Sequence, residues 1–216
     1  MHKLSIIGSS RIVEEHIKVA KKAGFKIYSI CSTNKKSKNL LKLKKKYKIN
    51  KIFYDWKKAT KVSSCEKKLA FLVAPRIQDT FKILKYICKF KKPVLVEKPV
   101  TYNLYNYKKL HKFSKLIFVG YNRLFYKNIN FLKKSTKKIQ NVIVKCPELN
   151  KKNILSNSCH IISILLYLFK EIKFYRKINN KNSNLIILKT KKNIKIFLFF
   201  LFGSSSNFSL EFYEPN

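Results

Sequence analysis

The segment Leu4-Ser5-Ile6-Ile7-Gly8-Ser9-Ser10-Arg11-Ile12-Val13 joins a short apolar run to a helical pattern through a glycine. The run that ends at Ile7 is typical of a buried strand, and apolar residues then recur at helical spacing until Gly24. A strand followed at once by a helix is the repeating unit of a parallel α/β sheet. We therefore expect the chain to begin with such a unit.

The same alternation of β-rich runs and amphipathic stretches continues through the first 120 residues. It predicts a doubly wound parallel sheet of the Rossmann type. The runs that we expect to form the later strands are Phe25–Cys31, Ile52–Tyr54, Leu69–Val73, Pro93–Val96 and Ile117–Gly120.

The pattern changes after Asn122 to one long apolar helix, Cys159–Phe169, and several strands without helices between them. This predicts a partial α+β domain with a mostly antiparallel sheet. The fold class is thus α/β with a second α+β part, and we expect domains at residues 1–121 and 122–216. The candidate strands of the second part lie at residues 142–146, 172–175, 185–188, 194–202 and 208–212.

The charge balance is extreme, since 49 basic residues stand against 10 acidic ones for a formal net charge of +39. Such a surface attracts polyanions, so nucleic acid is a conceivable partner. Only Arg11, Arg76, Arg123 and Arg176 are arginine, however, although arginine forks dominate base and phosphate recognition. Lys, Asn, Ile, Phe and Tyr are abundant together, and all have A/T-rich codons. Genome composition explains the charge better, and nucleic acid is the least favoured partner.

The five cysteines are scattered, with no C-x-x-C pair and no histidine at ligand spacing. This favours reduced thiols in a cytoplasm and no metal. Met1-His2-Lys3 leads straight into a strand, so we expect no signal peptide. The longest apolar runs, at residues 161–169 and 196–202, are shorter than the ~18 to 20 residues of a membrane-spanning helix. We expect a soluble cytoplasmic protein without a membrane partner.

The loop after the first strand is the place where a dinucleotide diphosphate binds in this kind of sheet. Amide N–H groups and the helix dipole favour an anion there, so the candidate residues are Gly8, Ser9, Ser10, Arg11 and Ile12. Ser10 and Val13 occupy the positions of the second and third glycines of G-x-G-x-x-G. A tight turn without a ligand is the alternative interpretation.

The end of the second strand carries Ser32-Thr33-Asn34-Lys35-Lys36, where an acidic residue would bind the ribose 2′-hydroxyl of NAD. Hydroxyl groups with nearby cations suit a 2′-phosphate better than a free diol. The cofactor is therefore NAD or NADP, and this corner favours NADP. A solvated basic loop is the alternative.

The most specific motif is Val94-Leu95-Val96-Glu97-Lys98-Pro99, which places Lys98 at the carboxyl edge of the sheet. Together with Gly8 and Asn122-Arg123 it resembles the Gfo/Idh/MocA family, the oxidoreductases related to glucose-fructose oxidoreductase and inositol dehydrogenase. Other matching features follow in order along nearly the whole chain: His16, Tyr54-Asp55-Trp56, Ala74-Pro75, Gly120-Tyr121 and His160 before 165–169.

The resemblance implies hydride transfer between a nicotinamide and the hydroxyl carbon of a sugar, polyol or sugar nucleotide. It places Lys98 at the substrate oxygen and makes His160 an acceptor for the hydroxyl proton. It also implies a cofactor-binding first domain, a second domain for substrate and oligomerisation, and homo-oligomers formed through the second sheet. The further positions that it assigns to the cofactor are Ala74, Pro75, Gln78, Glu97, Lys98, Asn122 and Arg123.

Three further positions depart from the family pattern. Ser156 replaces an acidic residue four positions before His160, Ser163 replaces an aspartate, and Gln78 replaces a histidine. The chain also stops just after what would be an inner strand of the second sheet, so we expect a truncated or frameshifted product. A catalytically degenerate, nucleotide-binding remnant of the family is therefore the main alternative, ahead of a basic nucleic-acid-binding protein.

Overall fold

The computed structural model describes residues 1–135, 138–151 and 154–215. It divides into two compact units, unit 1 at Met1–Gly120 and unit 2 from Tyr121 onward. Both predicted fold classes, the parallel α/β sheet and the mostly antiparallel α+β part, are confirmed.

Unit 1 is a six-stranded sheet in the order β3-β2-β1-β4-β5-β6, and every neighbouring pair is parallel. The crossover direction changes between β1 and β4, which makes that point the switch of the sheet. The elements are β1 (Lys3–Ile7), α1 (Arg11–Lys22), β2 (Lys26–Cys31), α2 (Lys38–Tyr47), β3 (Lys51–Phe53), α3 (Trp56–Ser64), β4 (Leu69–Val73), α4 (Ile77–Ile87), β5 (Val94–Val96), α5 (Leu104–Leu110) and β6 (Ile117–Val119).

Helices cover the two faces of this sheet because successive residues of each strand point to opposite sides. Ile6 of β1 packs in one apolar cluster with Val13 and Ile17 of α1, together with residues of α2. The next residue, Ile7, packs in the other cluster with residues of α3, α4 and α5, among them Ile83. Helix α3 is absent from the sequence prediction, and its start at Asp55 is fixed by the side chain, which accepts from the amide of Lys57 at 2.7 Å.

Unit 2 is a five-stranded sheet in the order β11-β7-β10-β9-β8, in which β7 and β10 are parallel and the other neighbours are antiparallel. Helix α7 buries Ile161, Ile164 and Leu165 in one cluster with Val142 and Val144 of β7. The elements are α6 (Lys127–Ser135), β7 (Asn141–Glu148), α7 (Cys159–Phe169), β8 (Ile172–Asn179), β9 (Ser183–Thr190), β10 (Lys195–Phe202) and β11 (Ser209–Tyr213), and a π-helical turn at Ile154–Ser158 precedes α7.

The edge strand β8 of this sheet is strongly exposed, with Phe174 65% and Tyr175 71% accessible. Among the described residues, no helix combines the length and the apolar character needed to cross a bilayer. The most apolar one, α7, has 11 residues.

Candidate functional site

A polar cavity of about 560 Å³ lies in unit 1 at the carboxyl ends of β1, β2 and β4, which is the switch point of the sheet. Its volume is in the range of small-molecule sites. The residues that line it are Ile7, Gly8, Ser9, Ser10, Cys31, Ser32, Thr33, Asn34, Ser37, Ala74, Pro75 and Arg76. None of these lining residues is a carboxylate.

Gly8 allows the ends of β1 and β4 to approach each other. Its φ is +130°, and a Cβ built on it would stand 2.2 Å from the main-chain oxygen of Ala74. The amide of Ala74 donates to Ile7 O, and the amide of Gly8 donates to Cys31 O, both at 2.8 Å. A side chain at position 8 therefore cannot fit, whether or not a ligand is bound.

The two loop residues after Gly8 are held from outside the cavity by Asn39 of α2. Its side-chain amide donates to the oxygens of Ser9 at 2.6 Å and Ser10 at 3.2 Å. Because the C=O and N–H of a trans peptide unit point in opposite directions, the N–H groups of Ser10 and Arg11 point away from Asn39. Within the described residues, the Ser10 side chain makes no capping bond to α1, so it does not compete for the amides of the first turn. These features fit a diphosphate.

Hydroxyl groups hold the corner where β2 ends. The Ser9 hydroxyl donates to that of Ser32 at 3.0 Å and lies 3.1 Å from that of Ser37, which caps α2 by accepting from the amide of Leu40. The Ser32 hydroxyl also accepts from the amide of Asn34 at 3.2 Å. The glycine loop and the loop after β2 are thus joined by neutral donors and acceptors.

The thiol of Cys31 is also part of this cavity wall. Burial raises the pKa of Cys31 to about 12, and the charge of Asp55 acts in the same direction. The thiol therefore stays neutral and cannot act as a nucleophile at neutral pH.

The Glu97-Lys98-Pro99 motif follows β5 at the same edge of the sheet, and the Lys98-Pro99 peptide is cis. His16 Nε2 of α1 lies 2.6 Å from Glu97 Oε1. Burial acts to raise the pKa of Glu97, but the hydrogen bond and charge of His16, with the amide and ammonium of Lys98, hold it below its ordinary value. Glu97 is therefore ionised at neutral pH.

The site geometry agrees with a comparison against protein families. The model of an oxidoreductase family with an NAD-binding Rossmann fold matches residues 2–115, more than half of the chain. The chain belongs to the Gfo/Idh/MocA family. The sequence prediction of this family and of its nicotinamide cofactor is confirmed.

Solved structures of Gfo/Idh/MocA type share this fold at low sequence identity. A dehydrogenase from Clostridium difficile is 18% identical, with a TM-score of 0.82 over 99% of this chain and 74% of its own. The myo-inositol dehydrogenase of Lactobacillus casei, solved with NAD(H) and myo-inositol, is 16% identical, with a TM-score of 0.80 over 99% and 72%. A dehydrogenase from Thermus thermophilus, solved with NAD and α-ketoglutarate, is 12% identical, with a TM-score of 0.76 over 93% and 73%. A comparison with curated proteins gives no match.

The structure brings eight of the sequence-predicted cofactor residues into the wall of the polar cavity. Arg11 and Ile12 lie in the first turn of α1, and Gln78 lies exposed in the first turn of α4, all outside that wall. Asn122 and Arg123 belong to unit 2, where the Arg123 guanidinium lies 5.5 Å from the ring centroid of Phe208. The eight residues in the wall are Gly8, Ser9, Ser10, Ser32, Thr33, Asn34, Ala74 and Pro75.

Sequence reasoning missed several residues of this site, among them Ser37, Asn39 and Arg76. Ser37 and Asn39 contact the glycine loop from α2 and the turn before it, and Arg76 lines the cavity as the N-cap residue of α4. The signal for Ser37 was present, because a serine before a helical stripe is a common N-cap. Asn39 shows no local signal, since its partners lie about thirty residues earlier.

A second cavity of unit 1, about 340 Å³, lies against α1, β4 and β5. His16 is the one polar side chain among its described lining residues, and Leu95 and Phe118 leave part of its wall exposed. This apolar surface offers almost nothing that could hold a phosphate.

The second predicted catalytic residue of the family pattern, His160, lies in the first turn of α7 and is 8% exposed. Its ring lies nearly perpendicular to that of Tyr121, with an interplanar angle of 82° and centroids 6.3 Å apart. The Ser163 hydroxyl donates to the main-chain oxygen of His160 at 2.7 Å, within the helix. The Ser163 hydroxyl is therefore engaged by the helix backbone, and it does not supply the charge that an aspartate would.

Unit 2 also holds a buried carboxylate that the sequence did not single out. Glu148, at the end of β7, is 2% exposed. Asn157 donates to its Oε2 at 3.1 Å, and Ser158 donates to its Oε1. Both donors belong to the π-helical turn before α7, so Glu148 fixes the start of the helix that carries His160.

Proposed function

We propose that this protein is an NAD(P)-dependent oxidoreductase that transfers a hydride between a nicotinamide and the hydroxyl carbon of a sugar, polyol or sugar nucleotide. The observation that carries the proposal is the polar cavity at the switch point, with Asn39 holding the carbonyls of Ser9 and Ser10 away from it. The bound nicotinamide would supply the hydride chemistry, for which the chain itself has no group.

The chain's own contribution begins with binding. The amides after Gly8, with the first turn of α1 at Arg11 and Ile12, would bind the diphosphate through the helix dipole. Ser32, Thr33 and Asn34 would contact the adenosine ribose. Since the cavity wall holds no carboxylate and the exposed Lys35 and Lys36 follow directly, this corner supports NADP over NAD.

Two side chains would act on the substrate, as the family pattern implies. Lys98 would donate to the substrate oxygen and stabilise negative charge there. His160 would accept the hydroxyl proton, since an imidazole can take up a proton near neutral pH. The positions Ala74, Pro75, Gln78, Asn122 and Arg123 are assigned to the cofactor on the same ground.

The wider assignments follow from the family and stay part of the proposal. Residues 1–121 would bind the cofactor, and residues 122–216 would serve substrate binding and oligomerisation through the sheet. The polyol class is supported by the myo-inositol bound in the Lactobacillus casei structure. The protein would work in the cytoplasm, without a metal.

A second candidate is a nucleotide-binding remnant of the family that does not turn over. It is favoured by the engagement of Ser163 within α7 and by the absence of a carboxylate at Ser156. Under this candidate the polar cavity still binds a dinucleotide.

The test is a calorimetric titration of the purified chain with NADP, NADPH, NAD and NADH at equal ionic strength. Because the chain carries +39, inorganic tripolyphosphate is the control for attraction by charge alone. Sugars, inositols and nucleotide sugars are then added, and the absorbance of the reduced nicotinamide is followed. Saturable binding with turnover supports the enzyme, and binding without turnover of any compound supports the remnant. Dinucleotide binding no tighter than that of tripolyphosphate overturns both.

A further inference from the structure

His16 connects α1, the helix after the glycine loop, to the Glu97-Lys98-Pro99 motif that follows β5. It lies in the second turn of α1, and its Nε2 is 2.6 Å from Oε1 of Glu97, directly after β5. In the sheet, β4 lies between β1 and β5. The contact between His16 and Glu97 therefore joins the segment after β1 to the segment after β5, across β4. The side chains are 21% and 23% exposed, which shields the contact from most of the solvent.

The Glu97 carboxylate is held at both oxygens. While Oε1 meets His16, Oε2 accepts from the amide of Lys98 at 3.2 Å. The amide of Glu97 donates to Val73 O of β4 at 2.9 Å, which fixes its main chain. Gly120, directly after β6, also lies next to the carboxylate, since a Cβ built on this glycine would stand 3.5 Å from Oε1.

We propose that His16 is a positioning residue: its imidazole holds the Glu97 carboxylate, and the carboxylate holds the main chain of Lys98. Glu97 thus acts through these two contacts. The inference rests on the role of Lys98 in the proposed function. Among the described residues, the titratable groups that act on Glu97 are His16 and Lys98, and both favour its ionised form.

The experiment compares His16→Leu, His16→Gln and the exposed control His111→Leu in the full chain. Because the chain has only ten Asp and Glu residues, a ¹³C-carboxyl NMR titration can follow Glu97. The signal that is missing in the Glu97→Gln variant is assigned to Glu97. His16→Leu should raise the pKa of Glu97 by about one unit, a tenfold change in proton dissociation. His16→Gln keeps a neutral donor and should raise it less, and His111→Leu should leave it unchanged.

A second readout follows Lys98 itself without any cofactor. Its amide should exchange with solvent about tenfold faster in His16→Leu, because the accepting carboxylate is no longer held. Glu97→Gln should accelerate the same amide, which keeps the comparison possible if His16→Leu does not fold. On any substrate that the native chain turns over, His16→Leu should lower kcat at least about tenfold. The dissociation constant of the reduced cofactor should stay within about twofold, and His16→Gln should recover part of kcat.

Native values of both the Glu97 pKa and the Lys98 exchange rate in a folded His16→Leu chain would overturn the inference. An unchanged kcat in a variant whose NMR readouts do change would also overturn it, since the contact would then not position Lys98 for the reaction. Failure of the proposed function looks different: the native chain binds no dinucleotide, while the two NMR readouts still respond to His16.

Discussion

The side-chain amide of Asn39 donates to the main-chain oxygen of Ser9 at 2.6 Å, across 30 residues of sequence. This contact joins α2 to the loop that would receive the diphosphate. It orients the loop's peptide units in a chain that lacks two of the three glycines common at this position. The loop geometry therefore depends on a side chain outside the loop.

Asn39→Ala should weaken dinucleotide binding about tenfold. Two hydrogen bonds of about 1 kcal/mol each are lost, and part of that energy orders the loop for binding. The matched control is Asn50→Ala, an exposed asparagine before β3. Calorimetric titration of both variants with NADPH measures the effect. Equal affinities in the two variants would show that Asn39 does not shape the binding loop.

Gly8→Ala should destabilise unit 1 by about 3 kcal/mol or more, because its Cβ would overlap the main chain of Ala74. Gly24→Ala is the matched control: φ is +80° there, and a Cβ would meet no atom within 4 Å. The control should lose only the ~1 to 2 kcal/mol of the left-handed conformation. Urea unfolding of both variants measures the difference. Similar losses would mean that the loop shifts to accept the methyl group.

The sheet of unit 1 could be predicted because each strand is a short apolar run next to a glycine, a proline or a charged turn. Helix α3 could not, since its buried face consists of the small residues Ala59, Thr60 and Ser63 and shows little apolar contrast. Ser63 is held by hydroxyl contacts of 3.0 Å with Ser5 and 3.1 Å with Ser29. Such contacts between distant segments leave no periodic pattern in the sequence.

The candidate site was predictable to a similar degree. Gly8 and Ser32 follow strands and were found from their local position. Two further contacts arise only when separate elements pack together, namely that of Asn39 with Ser9 and that of His16 with Glu97. The sequence shows only that His16 matches the family pattern, and the fold is needed to show that it contacts Glu97.

Ser32→Asp should reverse the cofactor preference that we propose. A carboxylate at this corner can bind a ribose diol and repels a 2′-phosphate, so the affinity for NADP should fall at least about tenfold, about 1.4 kcal/mol. The affinity for NAD should hold or improve. Ser32→Ala is the control for the hydrogen bonds that the serine hydroxyl loses. Ser205→Asp in unit 2 is the control for the change in net charge. Equal losses for NADP and NAD would contradict the assignment, as would native binding of NAD at least tenfold tighter than that of NADP.

The cysteines should differ sharply in reactivity at pH 8. Burial raises the pKa of Cys31 and Cys146 to about 12 and that of Cys88 to about 11, whereas Cys65 is exposed. With a pKa near 12, on the order of one thiol in 10⁴ is ionised at that pH, and the thiolate is the reactive form. Iodoacetamide followed by peptide mass spectrometry should find Cys65 modified long before the other three. Modification of Cys31 at a similar rate in the folded chain would show that the cavity wall opens.

Lys98→Met should remove turnover while leaving the dinucleotide bound. Methionine keeps much of the side-chain length but cannot donate to a substrate oxygen or stabilise negative charge on it, so kcat should fall at least about a hundredfold, about 2.7 kcal/mol. NADPH affinity should stay within about twofold, because the proposed function assigns the diphosphate contacts to the loop after β1. Lys92→Met makes the same change at the opposite end of β5 and should leave both quantities unchanged. A Lys98→Met chain that keeps the native kcat would remove Lys98 from the reaction.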